Sequence, residues 1–297
     1  VNNATYDYYK MCEETGIAKP PRNLKIWVFK RWTTSSTPML RRIVHPIGYN
    51  GNSSWKNFFI NIGYGTLATV LNQMLKKVLP DITIHSYRKV YDVVNHELSH
   101  ASHFSQVGSA HWAKYISYIM TYGSYGNGTG KNAELCGIGE MWGYSMGHIR
   151  AYEKYNPSGL LDDYPDVHTW LKPHVFWDLQ RDKVLTKKQI YDCLVVGVDT
   201  YDRLVAKMYE KYPEKADEIE KAFTDNGITP NVPKPDTGDL THDAFYTNKT
   251  VSSSFVFSGN NILTNSAKLT FRANKSVTIN SPFTINQGAQ LEITCGN

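Results

Sequence analysis

Two histidines stand four residues apart with a glutamate directly after the first: His96-Glu97-Leu98-Ser99-His100. On a helix, side chains at i and i+4 leave the same face, so both imidazoles can reach one ion. A zinc ion takes nitrogen ligands at about 2.0–2.1 Å and accepts three protein ligands with a water in the fourth position. Glu97, one residue round from His96, can take a proton from that water without filling a ligand position. The chemistry implied is hydrolysis by a metal-activated water, with Glu97 as general base. With ten His and eleven Glu in the chain, the pattern arises by chance in roughly one such sequence in eighty. Its surroundings therefore decide its meaning.

A third ligand has to come from elsewhere. The metzincin extension of the motif needs Gly at 103 and His at 106, but His103 and Gln106 stand there. His103 shares the face of His96 and His100, yet it lies about 10 Å along the axis from His96, too far for one ion. Glu140 is the expected third ligand. It is surrounded by Gly137, Gly139, Gly143 and Gly147, small residues that let one helix approach another closely. Glu134, His111 or a site with only two protein ligands are the alternatives. A donor for the developing oxyanion is also required. Tyr144 and His148, one and two turns after Glu140, are catalytic candidates, and His168 and His174 stand further on.

These residues need elements to hold them. The run 24–32 and the shorter 81–85 are β-prone, and the second acts as an edge strand ahead of the motif. From Ser86, a plausible N-cap, the pattern turns helical, with Val90, Val94, Leu98 and Ala101 on one stripe. Gly108 reads as its stop. Further helices are expected over 112–120, 134–155, 187–212 and 213–225. The Gly- and Tyr-rich stretch 122–130 between the two ligand helices is either a flap over a cleft or a plain connection.

The composition changes near residue 230. Three prolines and a glycine fall within 229–238, a linker by composition. The expected division is 1–228, a mostly helical domain with a small sheet; 229–238, the linker; and 239–297, an all-β repeat module. In the last, short β-prone runs alternate with Asn-, Ser- and Gly-rich turns every six to ten residues or so. A small β-sandwich is the alternative. All seven Trp precede the linker, and residues 236–297 are charge-neutral, with four basic and four acidic side chains. The +5 net charge forms no Lys/Arg stripe, so nucleic acid is not an expected partner. No apolar run is long enough for a transmembrane span. Four cysteines include no C-x-x-C pair, and no bridge is assigned among them.

The segments 96–104, 122–130 and Gly139-Glu140-Met141-Trp142-Gly143 resemble zinc metallopeptidases of the gluzincin type, whose third ligand is a Glu on a later helix. More narrowly they resemble a group of Bacteroidetes metallopeptidases with a C-terminal β-solenoid-like tail, over roughly 24–225 plus the tail. The resemblance implies an α+β, zincin-like fold, Zn2+ on His96, His100 and Glu140, Glu97 as general base, and a peptide or protein substrate. It implies a secreted, periplasmic or outer-surface location with attachment to the cell envelope. No targeting segment is visible ahead of Val1, so a mature or trimmed form is expected. One departure stands out. The thermolysin-like pattern has an Asp four residues after the ligand Glu, where it braces a zinc-bound His; here that residue is Tyr144. An inactive surface binding or adhesion protein with a vestigial or structural zinc site is the competing expectation, and a zinc hydrolase of other bonds a third.

Overall fold

The computed structural model describes residues 1–29, 35–39, 42–43, 80–85, 90–122, 125–156, 170–235, 237–239, 244–245, 249–263 and 268–296, those of 237–263 as backbone. It mixes helices with small parallel sheets, an α+β organisation. Two compact units result: Val1–Leu204 with Asp225–Ile228, and Val205–Thr224 with Thr229–Asn297. The sequence divides the chain where composition shifts; packing divides it earlier, so that residues 205–224 group with the tail.

In the first unit, β1 (Ile26–Phe29) and β2 (Ile82–His85) pair in parallel, Ile26 opposite Ile82 and Phe29 opposite His85. Alternation in β2 sends Ile82 and Ile84 into the core. Both flanks of β2 are occupied at Thr83. Trp27 lies on one side, and on the other Ser36 exchanges both backbone hydrogen bonds, at 3.0 and 2.8 Å. Among the described residues β2 remains an edge of a two-stranded sheet, bridged on its open side at Thr83 alone. The remainder of 24–32 past Phe29, and the Ser86 cap, lie outside the described residues.

Helix α1 (Asn2–Thr15), absent from the sequence reading, ends on Gly16 in the left-handed conformation. Its Tyr8 hydroxyl bonds Ser102 at 3.0 Å, on the motif helix α2 (Val90–Tyr122). Val94, Leu98 and Ala101 form the buried stripe of α2 as their spacing requires. Gly108, at φ 74° and ψ 179°, leaves helical geometry where its stop was expected, and a second helical run follows across this kink to Tyr122.

Helix α3 (Ala133–Tyr155) lies against α2, locked by Trp142 Nε1 donating to the Ser99 carbonyl at 3.1 Å. Glycines 139, 143 and 147, one turn apart, form the strip it presents. A Cβ there would stand 2.9 Å from the Tyr115 ring, 2.7 Å from the His100 ring and 2.8 Å from the Asp92 carbonyl, respectively. The close approach inferred from small residues is real.

Helix α4 (His174–Arg181), also unforeseen, buries Phe176, Trp177 and Leu179. The single helix expected over 187–212 is two: α5 (Lys187–Tyr191), opened by a Thr186–Gln189 capping box, and α6 (Tyr201–Lys211). Between them the chain turns through Gly197 at φ 92°, a conformation a continuing helix cannot contain.

In the second unit a 3₁₀ turn (Pro213–Lys215) leads into α7 (Ala216–Asp225). Lys234 pairs with Asp217 and Glu220 of α7 at 2.6 and 2.5 Å, fastening the proline-rich segment to that helix. Strands β3 (Thr237–Asp239), β4 (Ala244–Phe245), β5 (Lys249–Leu263), β6 (Lys268–Ile285) and β7 (Gln290–Cys295) form one parallel sheet. Val251 stands opposite Phe271, and Phe271 opposite Ile293, each step about twenty residues along the chain. Leu269, Phe271 and Ala273 are its buried centre, with Val277, Phe283, Ala289 and Leu291 packed on them. All four cysteines are free. Among the described residues no helix is long and apolar enough to cross a membrane.

Candidate metal centre

His96, Glu97 and His100 are buried on α2, and a ligand atom of each lies within 4.8 Å of the others. They form a group that could hold a metal ion. The two Nε2 atoms face each other at 3.0 Å. Glu140 arrives from α3, with Oε2 3.5 Å from His96 Nε2 and Oε1 3.5 Å from His100 Nε2. Gly143, one turn later, makes this possible by leaving the imidazoles room. Tyr115, from beyond the Gly108 kink, donates to Glu140 Oε1. Glu140 Oε2 is buried and accepts no hydrogen bond, a state that ordinarily costs about 1–3 kcal/mol. A buried carboxylate oxygen without a donor, beside two imidazole nitrogens that converge, is an environment a cation would complete. The nitrogen and oxygen donors suit a divalent first-row ion.

The two carboxylates are driven apart electrostatically. Burial alone would raise both. At Glu140 that effect is overcome by the charge and contact of His100 and the contact of His96, which hold it well below the usual carboxylate range. At Glu97 burial prevails over the His96 and His100 charges and the Thr37 hydrogen bond, leaving it above its ordinary value. Burial opposes the charged form of His96, but contact with Glu140 and the charges of Glu97, Glu140 and Asp92 raise it. Paired groups separated in this way divide between an ionised partner and a proton acceptor.

The other candidates fall in different places. Tyr144 sets its ring edge-on to His96, centroids 4.6 Å apart, and its hydroxyl donates to Tyr125 at 3.3 Å. His148 packs on Trp177 at 5.0 Å. Glu134 Oε2 accepts the Tyr201 N–H at 2.7 Å, so it holds the start of α6. His111 lies against His103, ring centroids 5.9 Å apart, and neither belongs to the ligand group. His174 opens α4, and His168 lies outside the described residues. In the 122–130 stretch, Gly128 N–H donates to the Tyr118 hydroxyl at 3.1 Å, and a Cβ on Gly130 would stand 2.2 Å from the Tyr122 hydroxyl. The described part of this loop is wrapped closely on aromatic side chains.

Sequence reasoning missed Thr37, Tyr115, Tyr125 and Asp92. Only Asp92 carried a signal, lying one turn before His96 on the same face. Tyr115 leads to a direct test. Tyr115→Phe removes the hydroxyl that donates to Glu140 and is expected to weaken binding of an added divalent metal ion by about tenfold, measured by competition with a chromophoric chelator.

The buried pair His103 and His111 makes stability depend on pH. Burial, the largest cause at each, pushes both imidazoles below their ordinary value, His103 far below. Unfolded imidazoles titrate near pH 6.5, so below that pH the unfolded chain binds protons that the folded one refuses. Stability present above about pH 6.5 is lost as pH falls, by up to about 1.4 kcal/mol per pH unit for each proton. His103→Gln is expected to flatten this decline between about pH 7 and 5 in denaturant unfolding.

No protein-family model, curated protein or solved structure matches the chain.

Proposed function

We propose that the first unit is a zinc-dependent peptidase of the gluzincin kind, with a zincin-like arrangement of its strand and helices. The observation that carries this reading is the Glu140 carboxylate, 3.5 Å from both imidazole Nε2 atoms, while Glu97 is held aside on a Thr37 hydrogen bond. Ligands on one tetrahedral zinc with bonds near 2.05 Å stand about 3.3 Å apart. The Nε2–Nε2 separation of 3.0 Å, and the 3.5 Å from His96 Nε2 to Glu140 Oε2 and from His100 Nε2 to Oε1, lie close to that value. This supports His96, His100 and Glu140 as the ligands.

Zinc held there would supply a water of lowered pKa and a Lewis acid for the substrate carbonyl oxygen. Glu97 takes a proton from the attacking water and returns it to the leaving amine, a role suited to a carboxylate of raised basicity. The Tyr144 ring lies against His96 and its hydroxyl meets that of Tyr125, which favours this pair over His148 as donors for the oxyanion. Asp92, whose charge acts on His96 from the same helix, supplies the negative group that the resemblance would place at 144. The parallel ladder of the second unit supports a β-solenoid-like module, consistent with a secreted or envelope-attached protein.

Zinc titration of metal-free protein tests the assignment. One zinc per chain is expected in the wild type and none in His96→Ala, with cleavage of unstructured peptides by the zinc-loaded wild type. Absence of stoichiometric, His96-dependent binding would overturn it.

A further inference from the structure

Thr37 stands 59 positions before His96 in the chain, with 4% of its surface exposed. Its hydroxyl lies 2.7 Å from Glu97 Oε2 and 2.9 Å from the Glu97 backbone carbonyl. One hydroxyl carries one proton, and the shorter, charge-assisted bond to the carboxylate is the stronger claim on it. We infer that Thr37 is a positioning residue for the general base. It grips Oε2, fixes the rotation of the carboxylate, and leaves Oε1 to receive the proton. The inference rests on the peptidase reading for its catalytic meaning, but the grip itself is independent of that reading.

What holds Thr37 supports the role. The short segment 35–39 is fastened at nearly every residue. The Ser35 hydroxyl donates to the His85 carbonyl at 3.0 Å, and His85 N–H donates back to Ser35 Oγ at 2.7 Å. Ser36 exchanges both backbone bonds with Thr83. Fully buried Trp112 donates its indole N–H to the Thr37 carbonyl at 3.3 Å, and Met39 N–H reaches the Asp81 carbonyl at 3.2 Å. The segment is tied to β2 on one side and to the far half of α2 on the other. Thr37 itself presents its one polar side-chain atom to Glu97. A threonine needed only for strand pairing would not need its hydroxyl there. A buried general base on a flexible two-carbon stem does need an external restraint to keep its productive orientation.

Three variants test this: Thr37→Val, which keeps the shape and removes the donor; Thr37→Ser, which keeps the donor; and Thr37→Val combined with Glu97→Gln. For peptide hydrolysis, Thr37→Val is expected to lower kcat roughly 10- to 100-fold, part of what a placed base supplies. KM and zinc affinity should be unchanged, and Thr37→Ser should restore most of the rate. In the Glu97→Gln background the valine should cost nothing further, because its effect passes through Glu97. Crystal structures of metal-free wild type, Thr37→Val and Thr37→Ser give a readout that needs no activity. The Glu97 carboxylate should leave its place in the valine variant and keep it in the serine variant. If Glu97 stays in place without the hydroxyl, or the valine slows the Glu97→Gln protein equally, the inference is overturned. If the wild type binds zinc but cleaves no peptide while Glu97 moves as described, the peptidase reading fails and the grip stands.

Discussion

Glu97→Gln is expected to abolish nearly all peptide hydrolysis, by roughly 10²–10⁴-fold in kcat, while zinc binding stays at one ion per chain. The substitution preserves shape and lets Thr37 keep a hydrogen-bonded partner. It replaces the buried carboxylate, whose burial raises its basicity, with an amide that cannot accept the proton. The reciprocal change, Glu140→Gln, should fail differently, because it removes the carboxylate that two imidazoles hold ionised. Zinc affinity should then fall, and activity with it. The pair of variants separates the two acidic residues near the imidazoles. If Glu97→Gln loses zinc and Glu140→Gln keeps it, the ligand set is His96, Glu97 and His100, and the general base has been misassigned.

Gly143→Val should have the second-largest effect. A Cβ at 143 would stand 2.7 Å from His100 Cε1 and Nε2 and 3.0 Å from His96 Cε1. Contacts that short do not persist, and the neighbours are the proposed ligand rings themselves rather than the loose end of a long side chain. Helix α3 must therefore retreat, carrying Glu140, one turn earlier, away from the imidazoles. Overpacking of this sort costs about 1–3 kcal/mol, so the protein should fold with a lowered melting temperature. Because a ligand shift of 1 Å defeats a metal site, zinc affinity should drop by more than about 100-fold. Isothermal titration beside thermal unfolding measures both. Zinc binding at wild-type strength would mean that Glu140 is not a ligand.

The centre was legible where it lay within one helix or depended on residue size. The i, i+4 histidines and the glycine strip are local patterns, and both survive in three dimensions because α2 and α3 are regular where it matters. Thr37 and Tyr115 were not legible, since each reaches its partner through the fold, across 60 positions in one case and through a kinked helix in the other. The breaker signal at Gly108 was legible: its φ of 74° and ψ of 179° interrupt the helical geometry between two helical runs. By contrast, the break at 192–200 lies inside an apolar periodicity that reads as continuous. Helix α1 buries only Ala4, Tyr8, Met11 and Cys12 among many polar residues, and α4 is barely two turns long, so neither offers an apolar stripe long enough to read.

The parallel ladder of the second unit also bears on how such a chain can change. Each strand lies on the one about twenty residues before it, so among the described residues its backbone pairs only with strands about one period away. Tandem duplication or loss of one such period would therefore lengthen or shorten the stack by a whole layer without altering any existing pairing. The length of this unit can thus change in discrete steps, while His96, His100 and Glu140 lie in the other unit.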